Sequence, residues 1–478
     1  MRSRGPMHKS ARAFSVNEPL PPCLRGYPAA TGFRQPPRPH NQESAVTNSA
    51  IDSMIIGLML LAVVATFTLS SAMLTNWKIH YLTAGGSFYE KLHPATYASF
   101  LAFGLLLVRN SDPVGEIDRM FSEAKLILVY LACWSFLLVQ MFVLTRPFTV
   151  IIDTFLLPVV LCLVIWRLQS PQRKPLVWAV HLTILLNVCA GYYEYFSGHR
   201  LIPLTLGDVL VVGEWRSSAF LGHPLTASGI VGAYILAMTL RPALCSAAMI
   251  RIPLIALCLG SLMAFGGRTA LVTVLLLMSF LGAAEAFRIL RGKRVSLPTV
   301  IGTICLLFVA GAGIFAAYDL GIFDKMLLRF SSDKGSALAR FATFDLLSHF
   351  DWYELVIGPN PVRVNALQAQ LGLNYGIENF WISCVVQFGI IHTTLLTVGL
   401  VCFFVEILKR ADPAAWAIMV LILVIAASSV SFSSKNIQFA QFIILITLLL
   451  PRYPVRIART QCGTSNKSIR TPATSRFA

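Results

Sequence analysis

Twelve apolar runs of spanning or near-spanning length divide this chain, and no other property restricts its folding so severely. They cover residues 53–74, 92–108, 124–144, 147–168, 175–192, 224–240, 249–265, 269–287, 297–318, 380–407, 414–432 and 436–450. A helix needs about 20 apolar residues to cross a hydrocarbon core roughly 30 Å thick. Hydrocarbon offers the backbone no hydrogen-bond partners, so each run must satisfy its own N–H and C=O groups as a helix. The expected fold is therefore all-α: a polytopic integral membrane protein of about twelve transmembrane helices. Composition agrees, with 56% hydrophobic and only 13% charged residues, against about 25% charged in soluble domains.

The apolar region spans residues 51–451. Residues 1–50, rich in Pro, Arg and Ser, and residues 452–478 are too polar to build a core and read as basic cytoplasmic tails. Residues 1–50 lack the short apolar core of a signal peptide, and Met54 offers an alternative start. Orientation follows from the Lys and Arg residues between runs. With the N-terminus inside, the short inner connections carry Arg109, Arg119, Lys125, Arg167, Arg173, Lys174, Arg241, Arg251, Arg288, Arg291, Lys293, Arg294, Lys409 and Arg410. The short outer ones carry half as many: Lys78, Lys91, Arg146, Arg200, Arg216, Arg268 and Lys435. That bias obeys the positive-inside rule and predicts both termini in the cytoplasm.

The net charge of +17 is thus a matter of topology. No basic helix with interleaved aromatics appears, so nucleic acid is not an expected partner, whereas membrane lipid is. Cysteines lie in apolar runs, in the tails or, at Cys245, in a short connection, so no disulfide framework is expected. No Walker A loop, Asp-x-Asp pair or His/Cys metal spacing occurs, and neither a metal nor a cofactor is expected.

Two long segments fall outside: Glu194–Pro224, and a loop of about sixty residues, 319–378, between the ninth and tenth helices. Loops of that length usually have a task. Within the second, Ser336–Phe350 has no Pro or Gly and predicts a short interfacial helix. Three clusters at this face can carry chemistry. Glu214-Trp215-Arg216 leads through Gly222-His223-Pro224 into the sixth helix. It reads either as a functional site, where an Arg and a His meet at the membrane surface, or as an interfacial anchor. Phe265-Gly266-Gly267-Arg268-Thr269 turns tightly and sets Arg268 at a helix N-terminus, where N–H groups and a guanidinium together attract anions. The alternative is one Arg snorkelling to the interface. Glu378-Asn379 closes the long loop, and partial burial there would make Glu378 a better base. It could equally be a carboxylate placed to suit a helix dipole. Arg329, Lys334, Arg340 and Arg363 make the loop basic, and Asp153 and His181 are intramembrane polar residues read as structural.

Residues 210 to 395 resemble the O-antigen ligase and Wzy polymerase superfamily, with the VpsF-like polysaccharide biosynthesis proteins as the nearest subgroup. The resemblance is carried by Arg216 with Gly222-His223-Pro224, by Gly267-Arg268-Thr269-Ala270-Leu271, and by Arg340 followed by Ile357-Gly358-Pro359. Glu378-Asn379 and Gln387-Phe388-Gly389 complete it. It implies transfer of a glycan from undecaprenyl pyrophosphate to an acceptor hydroxyl, without metal, in the bacterial inner membrane and alongside other polysaccharide-assembly proteins. It also implies that Arg216, His223, Arg268 and Arg340 bind the substrate and that Glu378 is the base. Many ligases carry His before Asn or Ser where this chain has Glu378-Asn379, which favours a polymerase. The competing expectation is a transporter or flippase of a lipid-linked glycan. That would line its midplane with charge or broken helices, whereas the polar candidates here gather at the outer face.

Overall fold

Backbone self-sufficiency is what the apolar runs achieve. The computed structural model describes residues 40–292 and 336–452, apart from 84, 111, 207–208, 211–213, 242–243, 245–247, 374–375, 429–431 and 433, with isolated positions between 293 and 335. Of residues 40–49, 205–206, 209–210, 248–249, 336–337 and 340 only the backbone is described. The chain divides into two units, Met1–Thr47 and Asn48–Ala478. Of the first, only the helical backbone of 40–47 is described. In chain order the helices are α1 (His40–Thr68), α2 (Ser71–Asn76), α3 (Pro94–Val108), α4 (Pro113–Glu123), α5 (Lys125–Val143), α6 (Thr149–Arg167) and α7 (Ser170–Ser197). They continue with α8 (Pro224–Leu240), α9 (Ala248–Phe265), α10 (Arg268–Leu290), α11 (Ser336–Ser348), α12 (Trp352–Ile357) and α13 (Pro361–Gln370). The last three are α14 (Phe380–Arg410), α15 (Trp416–Ser428) and α16 (Gln438–Leu449).

Six stretches are long and apolar enough to cross a membrane: Ala50–Thr68, Lys125–Val143, Thr149–Arg167, Ser170–Ser197, Arg268–Leu290 and Phe380–Arg410. Five more apolar helices are shorter; at 1.5 Å per residue the 12-residue α16 rises about 18 Å. The ninth apolar run, 297–318, lies outside the described residues, apart from isolated positions. The first run ends earlier than its composition suggests. Ser70 accepts the Met73 N–H at 3.3 Å and starts the separate helix α2. A two-residue antiparallel ladder, Thr205–Leu206 with Val209–Leu210, interrupts the segment between α7 and α8.

Burial separates inner from outer helices. Every residue of α16 is buried, and α8 is buried from Pro224 to Met238 apart from Leu225 and Thr226. A helix apolar all round belongs in an interior. By contrast Phe136, Val139, Phe142, Leu182, Leu186, Leu276, Phe280, Val398 and Val401 are exposed on α5, α7, α10 and α14. Such extensive apolar surface suits lipid and not water.

The long loop folds into α11, α12 and α13. Asp351 starts α12 with a capping box to Glu354, and Asn360 caps α13. Leu346, Phe350, Val364, Leu373 and Ile377 form a small core with Ile382 and Val386 of α14. The expected helix over 336–350 is present as α11.

Candidate functional site

Glu194, near the end of α7, organises the segment that carries Arg216. Its buried carboxylate accepts N–H groups from Leu201 at 2.9 Å, Ser218 at 2.8 Å and Ala219 at 2.9 Å. Ser217 then donates its N–H to Ala264 O of α9 at 3.0 Å and its hydroxyl to Gly191 O at 2.8 Å. The strand of chain from Glu214 to Ala219 is therefore laid across the ends of α7 and α9. It meets the α9–α10 turn where only glycine fits. Gly266 has φ +64°, and a Cβ there would lie 2.7 Å from Arg216 Cγ. A Cβ on Gly267 would lie 1.9 Å from Ser228 Oγ of α8. The paired glycines thus bring the Arg216 side chain onto the turn that delivers Arg268 as the first residue of α10.

Charge in this cluster is partly matched. The Arg216 guanidinium donates to Glu214 Oε2 at 2.6 Å, while its Nε is buried and has no hydrogen-bond partner. Arg200 donates to Glu214 O at 3.0 Å, to Arg216 O at 2.5 Å and to Ser218 Oγ at 3.3 Å. His223 caps α8, its Nδ1 accepting the Leu225 N–H at 3.2 Å. The residue as a whole is exposed. The protein packed around it, followed by the Arg216 charge, still pushes its pKa down to about 4.

Glu378 stands half-buried just before Asn379, whose side chain caps α14 by accepting the Ile382 N–H at 3.1 Å. Ten residues on, α14 breaks. Gly389 takes φ 80°, ψ 164° inside the helix. A Cβ there would come within 2.5 Å of Ile357 C and 2.6 Å of Gly358 N. The Ile357-Gly358-Pro359 loop is therefore docked backbone to backbone on Gln387-Phe388-Gly389. Gln140 of α5 and Arg146, three residues past its end, take up the carbonyls involved. Gln140 donates to Phe388 O at 2.7 Å and to Ile357 O at 3.0 Å. Arg146 donates to Gln387 O and, at 3.0 Å, to Pro359 O. The break lies beside the end of α5, and the stretch from 390 to 410 is still ~30 Å long, enough for a full crossing. Arg340 sits on α11, with its side chain outside the described residues, as are Arg329 and Lys334 altogether.

Asp153 proves to be a structural node. It lies in a π-helical turn, Ile152–Leu156, of α6. Its carboxylate accepts Tyr81 OH at 2.9 Å, Thr96 OH at 2.6 Å and the His93 N–H at 3.2 Å. Lys435 Nζ approaches to 3.9 Å, lies over the Tyr81 ring and donates to Tyr81 O at 3.0 Å. His181 Nδ1 likewise meets Tyr234 OH at 2.7 Å.

His93 caps α3 through Nδ1 and reaches Leu69 O through Nε2 at 2.6 Å.

Sequence reasoning did not single out Gln140, met Glu194 only as the start of a long segment, and met Arg146, Arg200 and Lys435 only in a tally. A signal was present for most of them. Arg146, Arg200 and Lys435 are basic residues that the sequence assigns to the face where basic residues are disfavoured, and Gln140 is polar within an apolar run. Comparison of the chain with protein-family models, with curated proteins and with solved structures finds no match.

Proposed function

We propose that this chain polymerises or ligates undecaprenyl-pyrophosphate-linked glycan units at the outer leaflet of a bacterial inner membrane, as a metal-independent glycosyltransferase. In this reading twelve helices cross the bilayer, both termini are cytoplasmic, and 319–378 is the external loop. The observation that carries it is the meeting of distant motifs in pairs. Arg216 packs on the Gly266-Gly267 turn before Arg268, and Ile357-Gly358-Pro359 docks on Gln387-Phe388-Gly389. These are the motifs on which the resemblance to the O-antigen ligase and Wzy superfamily rests, and parts of one site would pack in this way.

The reaction requires an acceptor hydroxyl oxygen to attack the anomeric carbon of the donor glycan. The bond from that carbon to the pyrophosphate oxygen breaks, and its electron pair leaves with undecaprenyl pyrophosphate. Glu378 takes the hydroxyl proton. Arg216, Arg268 and Arg340 hold the diphosphate as negative charge develops on it, with His223 beside them. Glu214, 2.6 Å from Arg216, keeps that guanidinium oriented and shares it once the diphosphate arrives. Fixed donors aimed at developing charge are commonly the largest source of rate enhancement.

A flippase would also use a broken helix, and α14 has one. Two of its carbonyls, Gln387 O and Phe388 O, are nevertheless taken up by Arg146 and Gln140, which favours the enzyme. The test is a deletion strain complemented with wild type or Arg268→Ala. Arg268→Ala is expected to lower polymer output by roughly 100-fold or more, with single lipid-linked units accumulating on the outer leaflet. Units retained on the inner leaflet would identify a flippase instead.

A further inference from the structure

Two helices of this protein begin with the same device. His93-Pro94-Ala95 opens α3 and His223-Pro224-Leu225 opens α8. In each the His is the N-cap, its Nδ1 accepting the N–H two residues on, at 3.1 Å from Ala95 and 3.2 Å from Leu225. Each Pro fills the first helical position, where a missing N–H does no harm. A ring nitrogen that accepts a hydrogen bond carries no proton, so the proton of the neutral ring must sit on Nε2. Capping therefore fixes the tautomer in both.

The two rings differ in what Nε2 meets. His93 is fully buried, and its Nε2 is 2.6 Å from Leu69 O. His223 is exposed, and among the described residues no protein atom hydrogen-bonds its Nε2. The charged groups that act on it are Arg216, Glu214 and Arg200. Two cations against one carboxylate oppose adding a proton. The same group within the same fold is thus closed on a carbonyl at α3 and left open at α8, beside Arg216.

We propose that His223 presents its Nε2–H as a neutral hydrogen-bond donor to a phosphoryl oxygen of the ligand and does not act as a base. This rests on the reading of the site as one for a lipid pyrophosphate. A neutral donor suits the position, because it can join arginines around a diphosphate without repelling them. Protonation to gain a second donor would break the cap of α8.

The test uses full-length protein in lipid nanodiscs, as wild type, His223→Asn and His93→Asn. Asn is a good capping residue, so His223→Asn keeps α8 while removing Nε2–H, and its melting temperature should match wild type. His93→Asn, which loses the Leu69 contact, should melt lower. Solid-state ¹⁵N spectra of labelled histidine, with the His223 signal identified by its loss in His223→Asn, should show one neutral tautomer from pH 8 to pH 5. A midpoint between pH 6 and 7, or a mixture of tautomers, would overturn the proposal without touching the function. Binding of undecaprenyl pyrophosphate should weaken ~5- to 30-fold in His223→Asn. Equal binding by wild type and His223→Asn would also overturn it. Wild type that does not bind undecaprenyl pyrophosphate would sink the function reading and, with it, the phosphoryl partner assigned to Nε2.

Discussion

Replacing Gly389 with alanine is expected to release the α11–α13 segment from α14 and, under the proposed function, to abolish polymer formation. The backbone at φ 80°, ψ 164° is one that only glycine adopts readily, and holding another residue there costs about 1–3 kcal/mol. A methyl group would also stand 2.5 Å from Ile357 C and 2.6 Å from Val356 O. Both are main-chain atoms that cannot rotate away, so overpacking adds roughly 1–3 kcal/mol. The cheapest relief is for Ile357-Gly358-Pro359 to lift off, which would strip Gln140 and Arg146 of their loop carbonyls. Limited proteolysis should then cut between α11 and α13, and the melting temperature should fall. Gly104→Ala is the control, because its added Cβ meets nothing within 4 Å. Wild-type stability and protease resistance in Gly389→Ala would show that this docking does not hold the loop.

Asp153→Ala carries the second large effect, about 3–5 kcal/mol of destabilisation. It would leave a tyrosine hydroxyl, a threonine hydroxyl and the His93 N–H without their shared acceptor, and Lys435 without its counter-ion. Burial already pushes the Lys435 pKa down to about 8 against the favourable pull of Asp153. Asp153→Asn should cost less, since an amide oxygen can still accept from Tyr81 or Thr96. Adding Lys435→Met to Asp153→Asn should recover part of the loss, because the buried cation goes with its partner. Thermal unfolding in detergent of wild type, Asp153→Asn, Lys435→Met and the double variant measures the coupling. Strict additivity would mean that the 3.9 Å pair contributes nothing.

These two sites mark what was legible in the sequence and what was not. Helices were legible because apolar runs in a membrane have a single backbone solution. Their termini were legible where a capping residue or proline stood, as at Pro224 and Phe380, and not at Thr68, where an apolar run continues through a change of helix. The tight turn at Gly266-Gly267 was foreseen from the glycines. Its contact with Arg216 was not, because the partner lies about fifty residues away and nothing local encodes the meeting. Gly389 was read only as the end of the Gln387-Phe388-Gly389 motif, and its close approach to Gly358 was not foreseen either. The cations that the sequence assigns to the outer face were understood too generally. Arg146, Arg200 and Lys435 each hold main-chain carbonyls, so part of the basic face is scaffolding and not ligand site. Arg216 and Arg268 remain the arginines that the paired glycines bring to one turn.

The most direct test of the glycan-transfer reading is reconstitution of the purified protein into liposomes holding undecaprenyl-pyrophosphate-linked oligosaccharide. The account predicts longer glycans together with an equal amount of freed undecaprenyl pyrophosphate, both lost in Arg268→Ala. Intact donor crossing from one leaflet to the other, with no glycan lengthened and no undecaprenyl pyrophosphate freed, would contradict it.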